Sequence, residues 1–151
     1  MDCQPPATQT GAGTFGCLVN GEPFVDNSGN FNCFYQLVDG EYFFGIQGND
    51  EVGIVSSMGV GADKLNITEG VYNLDYDFND SNSNGFYFIS FYTGSNLTDN
   101  ITSIPGSGMV SITKIDLNNQ IISGKFEGSL LSPENEVIRI TEGRFDSFFT
   151  R

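Results

Sequence analysis

The feature that most constrains this chain is an Asp-Gly pair between two runs rich in aromatic residues. The runs are FNCFYQLV and EYFFGIQ, at residues 31–38 and 41–47, and Asp39-Gly40 separates them. Two consecutive residues with positive φ form the tight turn that joins antiparallel strands, and Asp-Gly adopts this turn readily. The sequence therefore predicts a β-hairpin over residues 31–47.

A two-residue turn also fixes which residues of the hairpin lie opposite one another. Val38 pairs with Glu41, and the register continues outward to the pair of Cys33 and Ile46. Because side chains alternate between the two faces of a strand, one face forms the core side. The predicted core face carries Phe31, Cys33, Tyr35, Leu37, Tyr42, Phe44 and Ile46. The outer face carries Asn32, Gln36 and Glu41 together with Phe34 and Phe43. We expect another part of the chain to cover these two outer rings, since the alternative is an exposed apolar patch.

Alternation of the same kind continues through most of the chain. It places Phe15, Cys17 and Val19 on one face of a first strand, which Asn20-Gly21 ends. Other alternating runs are VYNLDYDF, FYFISFYT, GMVSITKID, IISGKFEGSLL, VIRITE and RFDSFF. The sequence predicts about nine or ten short strands in an all-β domain. We expect an antiparallel β-sandwich with the 31–47 hairpin at its centre, and a small closed β-barrel is the alternative.

The first 13 residues, MDCQPPATQTGAG, differ in composition from the rest of the chain. They contain Pro, Gly, Thr and Gln and offer almost nothing to bury, which is typical of a linker. We therefore predict a flexible N-terminal tether over residues 1–13 and a single all-β domain over residues 14–151.

The charge and the lack of histidine argue against several classes of function. Lys and Arg number 6 and Asp and Glu number 19, so the net charge is −13, and the chain has no His. Such a surface repels phosphate backbones, which argues against a nucleic-acid partner. Triads built on His are excluded, whereas a hydrolase with two carboxylates about 5–9 Å apart is not. Near the C-terminus, Arg144 and Asp146 are expected to form an outward-facing ion pair.

A polar segment near the middle of the chain partly resembles a calcium loop. In DYDFNDSNSNG, Asp75, Asp77 and Asn79 occupy loop positions 1, 3 and 5. A calcium loop of the EF-hand type also needs Gly at position 6 and Glu at position 12, and here these are Asp80 and Phe86. The segment is therefore predicted to be a polar hairpin loop, with weak calcium binding as the alternative. No cofactor is otherwise expected.

The exposed faces of aromatic side chains could bind a sugar or a lipid. The candidates are Tyr35, Tyr42, Phe43, Tyr72, Tyr76, Tyr87 and Tyr92. We expect most of these rings to lie in the core or in cross-strand pairs.

Both ends of the chain resemble a family of uncharacterised Bacteroidetes lipoproteins of the Flavobacteria type. The opening carries PPATQTG followed by TFGCLVNG, and the ending carries ITKID, IISGKF and ITEGRFD. The resemblance implies an exported domain on the outer membrane or cell surface, with an envelope or extracellular partner. It also implies a lipid anchor upstream of residue 1 as the sole contact with the membrane, with residues 1–13 as the tether.

An exported protein meets an oxidising compartment, so the cysteines gain significance from that resemblance. Cys17 and Cys33 are both predicted to face the core, and we expect them to form a disulfide that leaves Cys3 free. The alternative is that both remain reduced and act as small buried hydrophobic side chains.

Three functional hypotheses follow. The first is a non-enzymatic domain of the cell envelope that binds a partner or serves as a structural module. The second is a carrier of a small lipid or glycan, which requires an aromatic-lined cavity of several hundred Å³. The third is a carboxylate-dependent hydrolase, which requires buried acids with raised pKa values. The sequence predicts no catalytic residue.

Overall fold

Antiparallel strands dominate the structure, a computed structural model that describes residues 7–26, 32–52, 55–92, 100–132 and 134–151. The strands are β1 (Thr14–Val19), β2 (Glu22–Val25), β3 (Asn32–Val38), β4 (Glu41–Val52), β5 (Val55–Asp63), β6 (Gly70–Asn73), β7 (Gly85–Tyr92), β8 (Asn100–Thr102), β9 (Met109–Asp116), β10 (Ile121–Leu131) and β11 (Val137–Phe148). None of these described residues belongs to a helix that is long and apolar enough to cross a membrane.

The strands form two sheets. The six-stranded sheet has the order β2-β1-β11-β10-β9-β6, and the five-stranded sheet has the order β3-β4-β5-β7-β8. The predicted all-β sandwich is confirmed, and the alternative of a closed barrel is wrong because the two sheets remain separate layers. Strand β1 pairs with β11, so the first and last described strands lie side by side.

The predicted hairpin forms with the predicted register. Val38 pairs with Glu41 and Cys33 pairs with Ile46, and the turn residues Asp39 and Gly40 have φ angles of 51° and 81°. The core face is largely as predicted, although Leu37 beside the turn is 59% exposed. Phe31 lies outside the described residues.

The expectation that this hairpin is central is wrong, because β3 is an edge strand of its sheet. The free side of β3 faces the end of the chain rather than another strand. Tyr35 donates its backbone N–H to the Thr150 carbonyl at 2.9 Å, and Thr150 donates to the Cys33 carbonyl at 3.0 Å. These bonds occupy backbone groups that would otherwise be open to another chain.

Phenylalanine rings fill the space between the sheets. A connected series of ring contacts, with centroids 5.1–6.4 Å apart, runs through Phe24, Phe15, Phe126, Phe145, Phe44, Phe86 and Tyr72. The Phe rings of this series are almost entirely buried. Rings at these distances contribute stability beyond the area they bury. The interior along this series is therefore occupied by side chains.

The N-terminal segment is fixed to the six-stranded sheet by one carboxylate. Asp146 of β11 is 1% exposed and accepts backbone bonds from Thr10, Gly11 and Ala12 at 2.8–3.0 Å. The hydroxyl of Thr8 donates to the same carboxylate at 2.6 Å, and the hydroxyl of Ser123 donates at 2.7 Å. The segment 8–13 therefore belongs to the folded unit, and the predicted boundary between tether and domain at Thr14 is wrong. Residues 1–6 lie outside the described residues.

This arrangement also corrects the expected position of Asp146, which is buried instead of lying on an open surface. Burial by itself raises the pKa of a carboxyl group, because it disfavours the charged form. Here the bonds from Thr8, Ala12, Ser123 and Thr10 outweigh burial and lower the pKa of Asp146 from 3.8 to about 2. The carboxylate therefore remains charged in the folded protein under all but strongly acidic conditions.

The predicted disulfide is not present, since Cys17 and Cys33 are separate buried thiols. The two residues lie in different sheets and at different heights along β11. Cys17 sits at a bulge opposite residues 142–143, whereas the Cys33 thiol contacts the side chain of Ser147. Four strand residues span about 13 Å along β11, so the two thiols lie beside different parts of this strand. Cys3 lies outside the described residues.

Replacing Asp146 by Asn should destabilise the protein and flatten the acid side of its stability profile. A lowered folded-state pKa contributes stability above pH 3.8, and this contribution is lost as the pH falls towards 2. We expect a loss of about 2–4 kcal/mol at pH 7, because backbone donors then face an amide instead of a charge. Urea unfolding between pH 2 and pH 7 measures this. Asp39→Asn, at an exposed turn position that accepts Asn, is the matched control. An equal effect of both substitutions would contradict the assignment.

The thiols of Cys17 and Cys33 should resist alkylation until the protein unfolds. Burial raises the pKa of each to about 12, so the reactive thiolate is scarce at pH 8. Iodoacetamide labelling followed by peptide mass spectrometry should show both unmodified in buffer and both modified in urea without a reductant. Two sites that stay unmodified in urea and react only after reduction would show that they are bonded.

Candidate functional site

The outer side of the five-stranded sheet carries an unusual row of residues. The strand registers align Phe34 of β3, Gly45 of β4, Gly61 of β5 and Tyr87 of β7 side by side across four strands. Because the neighbouring residues in each strand point into the core, these four positions point away from it. We call this surface the glycine–aromatic face.

The two rings of the row lie over the two glycines. A Cβ atom at Gly45 would lie 2.6 Å from the Phe34 ring, and one at Gly61 would lie 2.6 Å from the Tyr87 ring. Real Cβ contacts are not this short, so the rings occupy space that a side chain on either glycine would need. The missing side chains let both rings rest directly on the backbone of the sheet.

A second row borders the first and adds polar groups. It aligns Asn32, Gln47, Gly59 and Ile89 across the same four strands. Together the two rows line a shallow depression of about 200 Å³. Its floor is glycine backbone, its sides are aromatic and aliphatic, and one end carries the paired amide side chains of Asn32 and Gln47. Amide groups both donate and accept hydrogen bonds, so this end can satisfy a polar ligand.

Two further rings extend the face beyond Tyr87. The rings of Tyr76 and Phe78 have centroids 5.0 and 5.1 Å from that of Tyr87, and they lie 4.8 Å from each other. Phe78 is 44% exposed. The Tyr87 hydroxyl donates to the Asp63 carboxylate at 3.4 Å. Burial, and then the nearby Asp63 charge, raise the pKa of Tyr87, and the same two causes raise the pKa of Tyr76. Both hydroxyls are therefore neutral donors at physiological pH.

The loop that presents Phe78 contains the residues considered for calcium. Asp75, Asp77 and Asn79 are all exposed. Asp77 accepts the backbone N–H of Asn79 at 2.9 Å, and its own N–H donates to the Ser83 hydroxyl at 2.9 Å. Asp77 therefore stabilises the turns of the loop. Among the residues that the structure describes, no group of three or more acidic, Cys or His side chains is placed to hold a metal ion.

A second depression, of about 380 Å³, lies on the outer side of the six-stranded sheet. Its polar lining includes Lys125 and Arg144, which are cross-strand partners, and the acids Glu127 and Glu142. The hypothesis of a carboxylate-dependent hydrolase requires a carboxyl group with a raised pKa. The carboxyl pKa values that depart clearly from normal in the described chain, those of Asp116 and Asp146, are both lowered. The depression therefore brings two acidic and two basic side chains together on one surface.

The structure divides the aromatic residues considered earlier for ligand binding. Tyr35 is buried, and its hydroxyl accepts the Ile67 N–H at 2.8 Å. Tyr42 stacks on Tyr35 at 4.9 Å, and Tyr72 packs against the core. Tyr76, Tyr87 and the half-buried Phe43 lie on the outer side of the five-stranded sheet, as does Phe34. The side chain of Tyr92 lies outside the described residues. Another part of the chain was expected to cover the Phe34 ring. In the structure the ring lies on Gly45 and stays partly exposed.

Sequence reasoning overlooked the glycines. Gly45, Gly59 and Gly61 stand at outward positions between large inward residues such as Ile46 and Val60. Alternation of Gly with core residues was the available signal. Its meaning depends on strand pairing, because only the register brings Gly45 next to Gly61.

Comparisons of the chain with protein-family models, curated proteins and solved structures found no match. The resemblance to Bacteroidetes lipoproteins therefore stays a prediction.

Proposed function

We propose that this chain is a non-enzymatic binding domain of the cell envelope, and that the glycine–aromatic face is its ligand site. The observation that carries the proposal is the placement of the Phe34 and Tyr87 rings on Gly45 and Gly61. The rings form a flat, partly exposed aromatic surface with a depression beside it.

A purely structural role explains this face poorly. Glycine weakens a strand because it loses more conformational freedom on folding and packs no side chain. Outward β-branched residues at positions 45 and 61 would stabilise the sheet, yet they would displace both rings. The face therefore combines glycine backbone with partly exposed aromatic rings, and apolar surface of this kind marks interaction surfaces.

The alternatives receive less support. A carrier needs an open interior, whereas aromatic rings such as Phe15 and Phe126 occupy the space between the sheets. A hydrolase needs a protonated acid near pH 7, whereas Asp146, a buried carboxyl group, has a lowered pKa and six hydrogen-bond donors around it.

The path of the N-terminal segment fits a lipid anchor upstream. Residues 8–12 bond to Asp146, and Gln9 donates to the Thr113 carbonyl at 3.1 Å, so the segment lies against the six-stranded sheet. The glycine–aromatic face lies on the opposite side of the sandwich. A membrane attached through the N-terminal segment would therefore leave the ligand face directed away from it.

The native precursor should carry a lipid at a cysteine upstream of this chain. Metabolic labelling of the full precursor with an alkynyl palmitate analogue, followed by tryptic mapping, should place the label outside residues 7–151. Cys3→Ser in the same precursor is the control, since the label should persist in it. A precursor that takes up no label would overturn the envelope anchor.

Ligand binding should depend on the glycine floor. The chain has no Trp and six Tyr, so its intrinsic fluorescence comes from tyrosine and reports on Tyr76 and Tyr87. We expect a saturable change with at least one member of a panel of neutral polysaccharides, acidic polysaccharides, and zwitterionic or anionic vesicles. Gly61→Val, which displaces the Tyr87 ring, should weaken that binding about tenfold or more. Met109→Ala, at an exposed position of the other sheet, should not.

Circular dichroism of both variants checks that the sandwich is intact. A flat response to the whole panel, or equal binding by Gly61→Val and the parent protein, would contradict the proposed site.

A further inference from the structure

We infer that the glycine–aromatic face binds neutral glycans, by stacking sugar rings on the Phe34 and Tyr87 side chains. This inference rests on the proposed function and names the chemistry of the ligand. Three properties of the face lead to it: the orientation of the rings, the polar groups beside them, and the surrounding charge.

The orientation of the rings favours a flat ligand with C–H bonds on its face. The Phe34 and Tyr87 rings lean over Gly45 and Gly61 of the neighbouring strands, into the space where a Cβ would lie. They therefore place partly exposed aromatic surface beside the depression, and an aromatic face carries partial negative charge. The C–H bonds on one side of a pyranose ring carry partial positive charge and form a plane of matching shape.

The groups around the rings match the hydroxyls of a sugar. Asn32 and Gln47 form a cross-strand pair at one end of the depression. At the other side, the carboxylate of Asp63 is bonded to the Tyr87 hydroxyl. Amides donate and accept, while the carboxylate accepts, so hydroxyls at the rim of a stacked sugar find partners of both kinds. The volume of about 200 Å³ is below the roughly 300–1,000 Å³ of pockets that enclose drug-sized ligands, which suits one sugar ring at a time.

The spacing of the aromatic residues suits a polymer rather than a single sugar. Beyond Tyr87, the rings of Tyr76 and Phe78 continue the surface away from Phe34. A chain of sugars can thus contact rings at both ends of the face. Contacts made in series on one chain raise the affinity above that of each contact alone.

The net negative charge of the protein favours neutral ligands over anionic ones. A protein with net charge −13 repels anionic polysaccharides and anionic lipids over the whole surface. Asp63 adds a negative charge at the edge of the face itself. A lipid tail would leave the amides of Asn32 and Gln47 without partners, which is unfavourable. A neutral glycan satisfies the amides and meets no repulsion.

The test uses isothermal titration calorimetry of the full chain with dextran, pullulan and xyloglucan as neutral polymers. Each polymer is also tested after periodate oxidation and borohydride reduction, which open sugar rings that carry adjacent free hydroxyls. The protein variants are Tyr87→Leu and Phe34→Leu, which still cover the glycines but lack a flat ring. Met109→Leu changes an exposed apolar side chain of the other sheet, and it is the control.

We expect at least one neutral polymer to bind and its ring-opened form to bind at least about tenfold more weakly. Each of the two face variants should lose a similar factor, whereas Met109→Leu should match the parent protein. Binding that survives ring opening or both face variants would overturn the stacking assignment. Binding of vesicles or of alginate in place of neutral polymers would overturn the glycan assignment and leave the ligand face intact. A face that binds neither polymer nor vesicle would overturn the proposed function as well.

Discussion

One buried carboxylate connects the parts of this fold that are farthest apart in sequence. Asp146 binds the backbone of residues 10–12, the hydroxyl of Thr8 and the hydroxyl of Ser123 on β10. A charge with 1% exposure is tolerated only when donors surround it, so the N-terminal segment and β11 each require the other. Strand β1 pairs with β11 beside this carboxylate, and the N-terminal segment lies on the six-stranded sheet. The glycine–aromatic face belongs to the opposite sheet.

Local rules predicted the parts of the fold whose partners are close in sequence. The Asp39-Gly40 turn set the whole register of β3 and β4, because a two-residue turn allows one alignment. Alternation also identified Phe15, Cys17 and Val19 as core residues of β1, as the structure has them. These rules act within one strand or across one turn, and they do not specify which strands become neighbours afterwards.

Most of the errors concern partners that are distant in sequence. The hairpin was placed at the centre, but Thr150 covers the edge of β3, and no local pattern links these segments. The N-terminal segment has the composition of a tether, and Asp146, which accepts its hydrogen bonds, lies up to 138 residues away in sequence. No local pattern therefore indicates that the segment is fixed to the sheet. Cys17 and Cys33 both face the core, as predicted, but they are not bonded to each other. Alternation predicts which side of a strand a residue faces, and it does not predict how far apart two such residues lie. The glycine–aromatic face was likewise predicted only in part, because its rings were considered while the row of glycines requires the pairing of β4 with β5.

The adjacency of β1 and β11 has a consequence for how the chain acquires its structure during synthesis. A chain made from its N-terminus exposes β1 long before its partner β11 is made, since β11 is the last of the described strands. Contacts of this sequence separation slow folding, because the intervening loop must close first. The meander from β3 to β5 can pair early, whereas the six-stranded layer is completed only when residues near 146 emerge. The six-stranded layer therefore forms only after β11 has been made, and truncation before β11 leaves β1 without this neighbour.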